Sequence, residues 1–314
     1  MPLDHYVSQV HLKQFCNRDT RHLAVIRKRD LKTFPARTQD VCRIEDGSTN
    51  SYLTHDRAVE DFLKTIEPHY DEALNRIRAG HFDQDSVYVV AGFTAYVMSC
   101  SPTGMRLYAG HLRNMVEAET IALDRLGKLP PMPKSLGNSV KEAIESGKVL
   151  VTIDEKYPQA IGIAQIMERT ALLGNLRWEV LSNRQHDNPF LSSDYPIAME
   201  MTGDPRVLNK LVPLAPDLAI RMVPDISMDT SKVTLDFKDF RYRTRTPSVG
   251  EIRNINRLTV RCAEDLVFCS LASDWLMRFI AKNRSFRLEM LNDRFPTETG
   301  TLLLSRQRIV SMRE

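Results

Sequence analysis

The chain has 314 residues, of which 42% are hydrophobic, enough to bury a full core, so a disordered chain is excluded. Its 43 Lys and Arg against 40 Asp and Glu leave a net charge of +3, too near neutrality to name nucleic acid as a partner from composition alone. Five cysteines, an odd number without a CxxC pair, point to reduced thiols in a cytoplasmic protein and away from a disulfide framework or a zinc knuckle. The opening residues carry no signal-peptide pattern, and the apolar run "VYVVAGFTAYVM" at 87–98 is too short to span a bilayer. No membrane role is expected.

The stretch "DHYVSQVHLKQFC" at 4–16 places several polar side chains where domain ends usually fray. Read as a helix, it puts His5 and Gln9 on one face, beside Tyr6 and Lys13, with Val7, Val10 and Phe15 toward the core. His11 has no partner in that register and reads as surface. Next, residues 56–80 repeat Val59, Phe62, Leu63, Ile66, Tyr70, Leu74 and Ile77 at three- and four-residue steps. That is an amphipathic helix with Asp56 as N-cap and Gly80 as stop, and Pro68 predicts a break near residue 67. Helices follow at 83–101, 103–127 and 157–175, with a three-proline loop at 128–138.

Past residue 175, short runs alternate with turn residues: "RWEVLS", "PFLSSD", "PIAMEM", "LVPLA", "LAIRMV", "SKVTLDF" and "FRYRT" read as strands. Residues 249–283 return to helix, and the tail beyond has no clear period. The expected fold is α+β: a helical layer at 56–175 packed on a small, mainly antiparallel sheet at 176–245, with C-terminal helices at 249–282. Residues 1–282 read as one domain and 283–314 as a tail.

Chemistry-bearing groups are few. His5 and Gln9 share a face, although capping and solvation explain such a pair equally well. Glu60 and Glu67, seven residues apart on one side of a helix, could hold a divalent cation or act as acid and base, or ride the solvated edge. In "FLSSDYPI", Ser192, Ser193 and Asp194 end a strand before Pro196, a place for a catalytic carboxylate and also ordinary turn chemistry. "PDISMDTSKVTLDFK" offers Asp225, Asp236 and Lys238 in a restriction-nuclease-like order that an exposed charged strand also produces. In "HFDQD", His81, Asp83 and Asp85 start a helix more simply than they bind a metal. Arg241, Arg243 and Arg245 alternate along one strand, a stripe that would track a phosphate backbone or guard a sheet edge. P-loop, GxGxxG, GxSxG and HExxH motifs are absent, so the chemistries they carry lack support.

The opening "HYVSQVHLKQF" resembles the "HYVPQxYLxxF" signature of an uncharacterised, DUF4238-like bacterial family of unknown function. Its other landmarks follow in order: Glu60 and Glu67 in an E-x6-E helix, "LSSDYP" for a "TSDxP"-like turn, Pro213-Leu214-Ala215-Pro216, and Asn256 with Ala263. Ser8 departs from the signature proline. "SCSP" at 99–102 lacks the basic residue of an "RTP"-like helix end. The resemblance implies that His5, Gln9, Glu60, Glu67 and Asp194 belong together, and imidazole with carboxylates is a ligand set for Mg2+ or Mn2+. The leading expectation is therefore a metal-dependent nuclease or phosphodiesterase-like effector, of the toxin or antiphage kind, acting on RNA or DNA. In that reading His5, Gln9 and Asp194 are catalytic, His5, Glu60, Glu67 and Asp194 hold the metal, and Arg241, Arg243 and Arg245 hold nucleic acid. The alternative is a non-enzymatic module whose signature residues form a structural hydrogen-bond network and whose surface recruits a protein partner.

Overall fold

A computed structural model describes residues 3–154, 156–204, 206–297 and 300–312. The N-terminal segment contains β1 (Leu3–His5), α1 (Gln9–Lys13), β2 (Leu23–Arg27), β3 (Thr33–Ala36) and β4 (Arg43–Glu45). A helical block follows: α2 (Ala58–Ile66), α3 (Tyr70–Arg78), α4 (Gln84–Cys100), α5 (Pro102–Arg125), α6 (Val140–Glu145), α7 (Lys156–Ala164) and α8 (Ile166–Gly174). Then come β5 (Arg177–Ser182), β6 (Ser192–Ser193), β7 (Ala198–Met201), β8 (Leu208–Ala215), β9 (Leu218–Val223) and β10 (Arg241–Arg245). The chain closes with α9 (Val249–Cys262), β11 (Leu266–Cys269), α10 (Asp274–Asn283), β12 (Phe286–Thr297) and β13 (Gly300–Ser311).

The fold is α+β with mainly antiparallel sheets. One sheet runs β10-β5-β9-β8-β7, antiparallel except where edge strand β10 lies parallel to β5. A second, β3-β2-β11-β6, is antiparallel throughout and draws strands from both ends of the chain. That second sheet was not expected. β2 and β3 went unread, and β11 interrupts what reads as continuous helix at 249–283. The tail is also structured: β12 and β13 form a long hairpin that packs on α5, where the Arg106 guanidinium donates to the Leu288 carbonyl at 2.9 Å.

Helix α4 lies at the centre. Past its exposed first turn at Gln84 and Asp85 it is apolar nearly all round, with only Tyr88 and Met98 partly exposed, as a helix packed on several sides must be. Phe62 and Ile66 of α2 press on it at Gly92, where an added Cβ would stand 3.0–3.1 Å from their side chains. One hydrophobic core joins Phe62, Tyr70, Val90 and Phe93 of the helices to Trp178, Val180 and Ile220 of the first sheet. The helical layer thus covers the sheet as its apolar stripes demand. A smaller apolar cluster, including Val260, Val267 and Ile280, holds α9 and α10 to the second sheet.

Local breaks follow the sequence. Pro68 lies in a 3-10 turn at Glu67–His69 that separates α2 from α3, and Gly80 takes φ +80° just after α3 ends. Asp83 caps α4 by accepting from the Ser86 N–H at 2.8 Å. Arg57, not Asp56, stands at the N-cap of α2, without a side-chain cap. Residues 231–237 form no strand: a 3-10 turn at Thr230–Lys232 starts them, and Asp236 pairs with Lys238 at 2.9 Å on the surface. No helix among the described residues is long and apolar enough to cross a membrane.

Candidate functional site

The opening segment is not one helix. His5 closes β1, paired with Arg43 of β4, and Gln9 starts the short α1. The two still meet one partner, because the His5 Nε2 lies 3.3 Å from the Thr38 carbonyl and the Thr38 hydroxyl donates to Gln9 Oε1 at 3.2 Å. The segment is anchored through its backbone: the Tyr96 hydroxyl donates to the His5 carbonyl, and the Tyr6 N–H to the Cys42 carbonyl at 2.9 Å. Burial lowers the pKa of His5, partly offset by the Thr38 carbonyl.

His11 overturns its assignment to the surface. It is fully buried, stacked on Phe93 with ring centroids 4.6 Å apart, between the Tyr70 hydroxyl at Nδ1 and the Ser192 hydroxyl at Nε2, both at 2.9 Å. Burial holds its pKa down to about 3, so the ring is neutral. A nucleophile–base pair has this geometry, but Ser192 and His11 are both sealed from solvent, which makes the chain a core network. The signal was present: Val7, His11 and Phe15 recur at four-residue steps.

The helix break separates Glu60 from Glu67. Glu60 is bound by Arg57, with its Nε at 2.8 Å, and Glu67 accepts from the Ser8 hydroxyl. The serine that replaces the signature proline therefore supplies the partner of a signature glutamate.

Asp194 is 4% exposed and follows β6. Its Oδ1 accepts from the Glu264 N–H at 2.8 Å, and its Oδ2 accepts from Asp265 at 2.7 Å and Leu266 at 2.8 Å. These are successive donors of the turn that joins α9 to β11. The Asp194 N–H in turn donates to the Leu266 carbonyl at 3.0 Å. Lys28 ties the same turn to the start of β12: its buried ammonium donates to the Ala263 carbonyl of the turn at 2.5 Å and to the Phe286 carbonyl at 3.0 Å. Burial pushes the Asp194 carboxyl up to about 6, against the three N–H groups and Lys28, so it is ionised at neutral pH. Tyr6, the residue after His5, is held protonated by burial, with Cys42 and Asp194 adding to the effect.

These residues do not fit a Mg2+ or Mn2+ centre. Such ions need open carboxylate oxygens, and both oxygens of Asp194 and of Glu60 are taken by N–H and guanidinium donors, while Glu67 gives one oxygen to the Ser8 hydroxyl. Among the described residues no three His, Cys, Asp or Glu side chains are grouped so as to hold a metal ion.

The arginine stripe does share a face, but two of its members are engaged. The strand register sets Arg243, Glu179 and Arg221 side by side across β10, β5 and β9. Arg221 binds Glu179 at 2.7 Å, Glu200 at 2.8 Å and Glu251 at 2.8 Å, while Arg245 binds Glu251 and Arg243 binds Glu179. Burial raises the pKa of Glu179, and hydrogen bonds from Arg221, Arg243 and Arg245 outweigh it, holding the carboxyl at about 2. Arg241 stays exposed. The stripe thus ties edge strand β10 to the sheet.

A cleft of about 1040 Å3 lies apart from all these residues, between the end of α1, the loop before β2 and the turn joining β8 to β9. Sequence reading missed it, since its walls come from loops far apart in the chain.

No curated protein and no solved structure matches the chain. A family model described as "Protein of unknown function (DUF4238)" matches residues 4–273. The match starts just before His5 and ends beyond β11, so it takes in both the anchored N-terminal segment and the Asp194 turn, and the chain belongs to this family.

Proposed function

We propose that the protein is a non-enzymatic binding module, in which the signature polar residues lock the N-terminal segment, the helical layer and the two sheets together and the outer surface recruits a partner. The observation that carries this reading is Asp194: a carboxylate closed off from solvent, with both oxygens bound by three backbone donors, has its position fixed. A catalytic base or metal ligand must be open to the substrate, water or cation that it serves. His11 and Ser192 support the same reading, since they are joined to each other and closed to solvent.

The test is incubation of the purified protein with single-stranded and double-stranded RNA and DNA, with and without Mg2+ or Mn2+. Intact substrates under every condition are expected. Metal-stimulated cleavage that copurifies with the protein would overturn the module and restore the nuclease reading.

A further inference from the structure

The cleft near the end of α1 gathers several cations on one concave surface. Among the described residues, Lys13, Arg18 and Arg21 on its lining have no carboxylate within ion-pair distance. Arg78 is the exception, clamped in two-pronged fashion on Asp217 with N–O distances of 2.9 and 3.0 Å, which stiffens one wall. Asp19 is the other acid on the lining, and His186 adds an imidazole. The balance is positive.

The loop that presents the two free arginines is built in advance. The Asn17 side chain accepts from the N–H groups of Asp19 at 2.9 Å and Thr20 at 3.1 Å, while the Asn17 backbone N–H donates to the His22 carbonyl at 2.8 Å. Arg21 sits at φ +58°, a conformation that an arginine adopts against its own preference and that glycine or asparagine takes readily. Arg21 is exposed there and has no ion pair among the described residues.

We propose that this cleft binds a small molecule carrying a chain of phosphates, with Lys13, Arg18 and Arg21 donating to its oxygens. Guanidinium forks match phosphate oxygens two at a time, and three separated cations suit an oligophosphate better than a single anion. A volume of about 1040 Å3 holds more than one phosphate group. The lining has no Phe, Tyr or Trp, and its excess of cations makes the phosphate chain the main feature recognised. The inference is independent of the module reading, because such a cleft serves a binding protein or an enzyme alike.

Calorimetric titration with inorganic tripolyphosphate tests it. The parent should bind at low salt, more weakly as salt rises, and ATP should bind within about threefold of tripolyphosphate, since only the phosphates are read. The double variant Arg18→Gln with Arg21→Gly should lose about tenfold or more in affinity with no fall in melting temperature, because glycine suits φ +58°. Arg241→Gln, on the sheet edge, should bind as the parent does. Absence of binding by the parent, full affinity in the folded double variant, or an equal loss in Arg241→Gln would overturn the proposal. So would ATP or an RNA oligomer binding tenfold more tightly than tripolyphosphate.

Discussion

The turn held by Asp194 and the cleft lined by Arg18 are both rich in charge, and they treat it in opposite ways. At the turn every charge is answered from within: Asp194 takes three N–H groups, and Lys28 takes two carbonyls. In the cleft three exposed cations have no acid within ion-pair distance among the described residues. A buried group that is saturated by the backbone holds structure together, whereas an exposed one left unsaturated is available to a ligand. Charge and conspicuous residue type alone do not separate the two cases. The partners do.

The largest effect that would sharpen this contrast is Asp194→Ala. It leaves three buried donors unanswered beside the Lys28 ammonium, and the folded state should lose roughly 3–5 kcal/mol in urea denaturation. A loss below about 1 kcal/mol would mean that water replaces the carboxylate and that the turn is not clamped.

A smaller effect concerns His11 and pH. Its folded pKa, about 3, lies below the unfolded value of 6.5, so the unfolded chain binds the extra proton between these limits. The stability that comes from keeping the ring neutral is complete above pH 6.5 and is lost as pH falls toward 3. At pH 5 the loss attributable to His11 should be about 2 kcal/mol. His11→Gln keeps a donor and an acceptor but cannot be protonated, so its stability should depend less on pH between 7 and 5. Parallel pH profiles of parent and variant would refute the buried-neutral assignment.

The smallest effect belongs to the cleft. Arg18→Gln should change unfolding free energy by no more than about 0.5 kcal/mol, since the side chain is exposed and unpaired. A cost above 1 kcal/mol would show that the cleft cations carry structure after all, and the contrast with the turn would fail.

Much of the helical half was legible because its signals are local. Pro68 announces the break between α2 and α3, and Asp83 announces the start of α4. Most strands of the first sheet were also readable, as "LAIRMV" coincides with β9. β11 escaped because "LVFC" sits between two amphipathic helices and continues their apolar content; its identity as a strand depends on pairing with β2 and β6 from elsewhere in the chain. The tail was unreadable for a related reason, since a hairpin packed on α5 need not alternate cleanly.

The candidate site was legible as a set of residues but not as a set of roles. The sequence singled out His5, Gln9, Glu60, Glu67 and Asp194, and each makes a specific polar contact. Whether a carboxylate faces a cation or three backbone N–H groups depends on a turn seventy residues away, and no local pattern encodes that. Arg243 and Arg245 teach the same lesson, because their partner Glu179 is on a neighbouring strand more than sixty residues distant.

The central claim is that Asp194 is a structural acceptor, and the stability of Asp194→Asn tests it most directly. Asparagine keeps the shape but turns one acceptor oxygen into a donor that must face a backbone N–H. The account predicts a loss of roughly 1–3 kcal/mol in urea denaturation at pH 7, with an unchanged m-value. A variant as stable as the parent, from a parent whose metal-dependent cleavage the substitution abolishes, would contradict it.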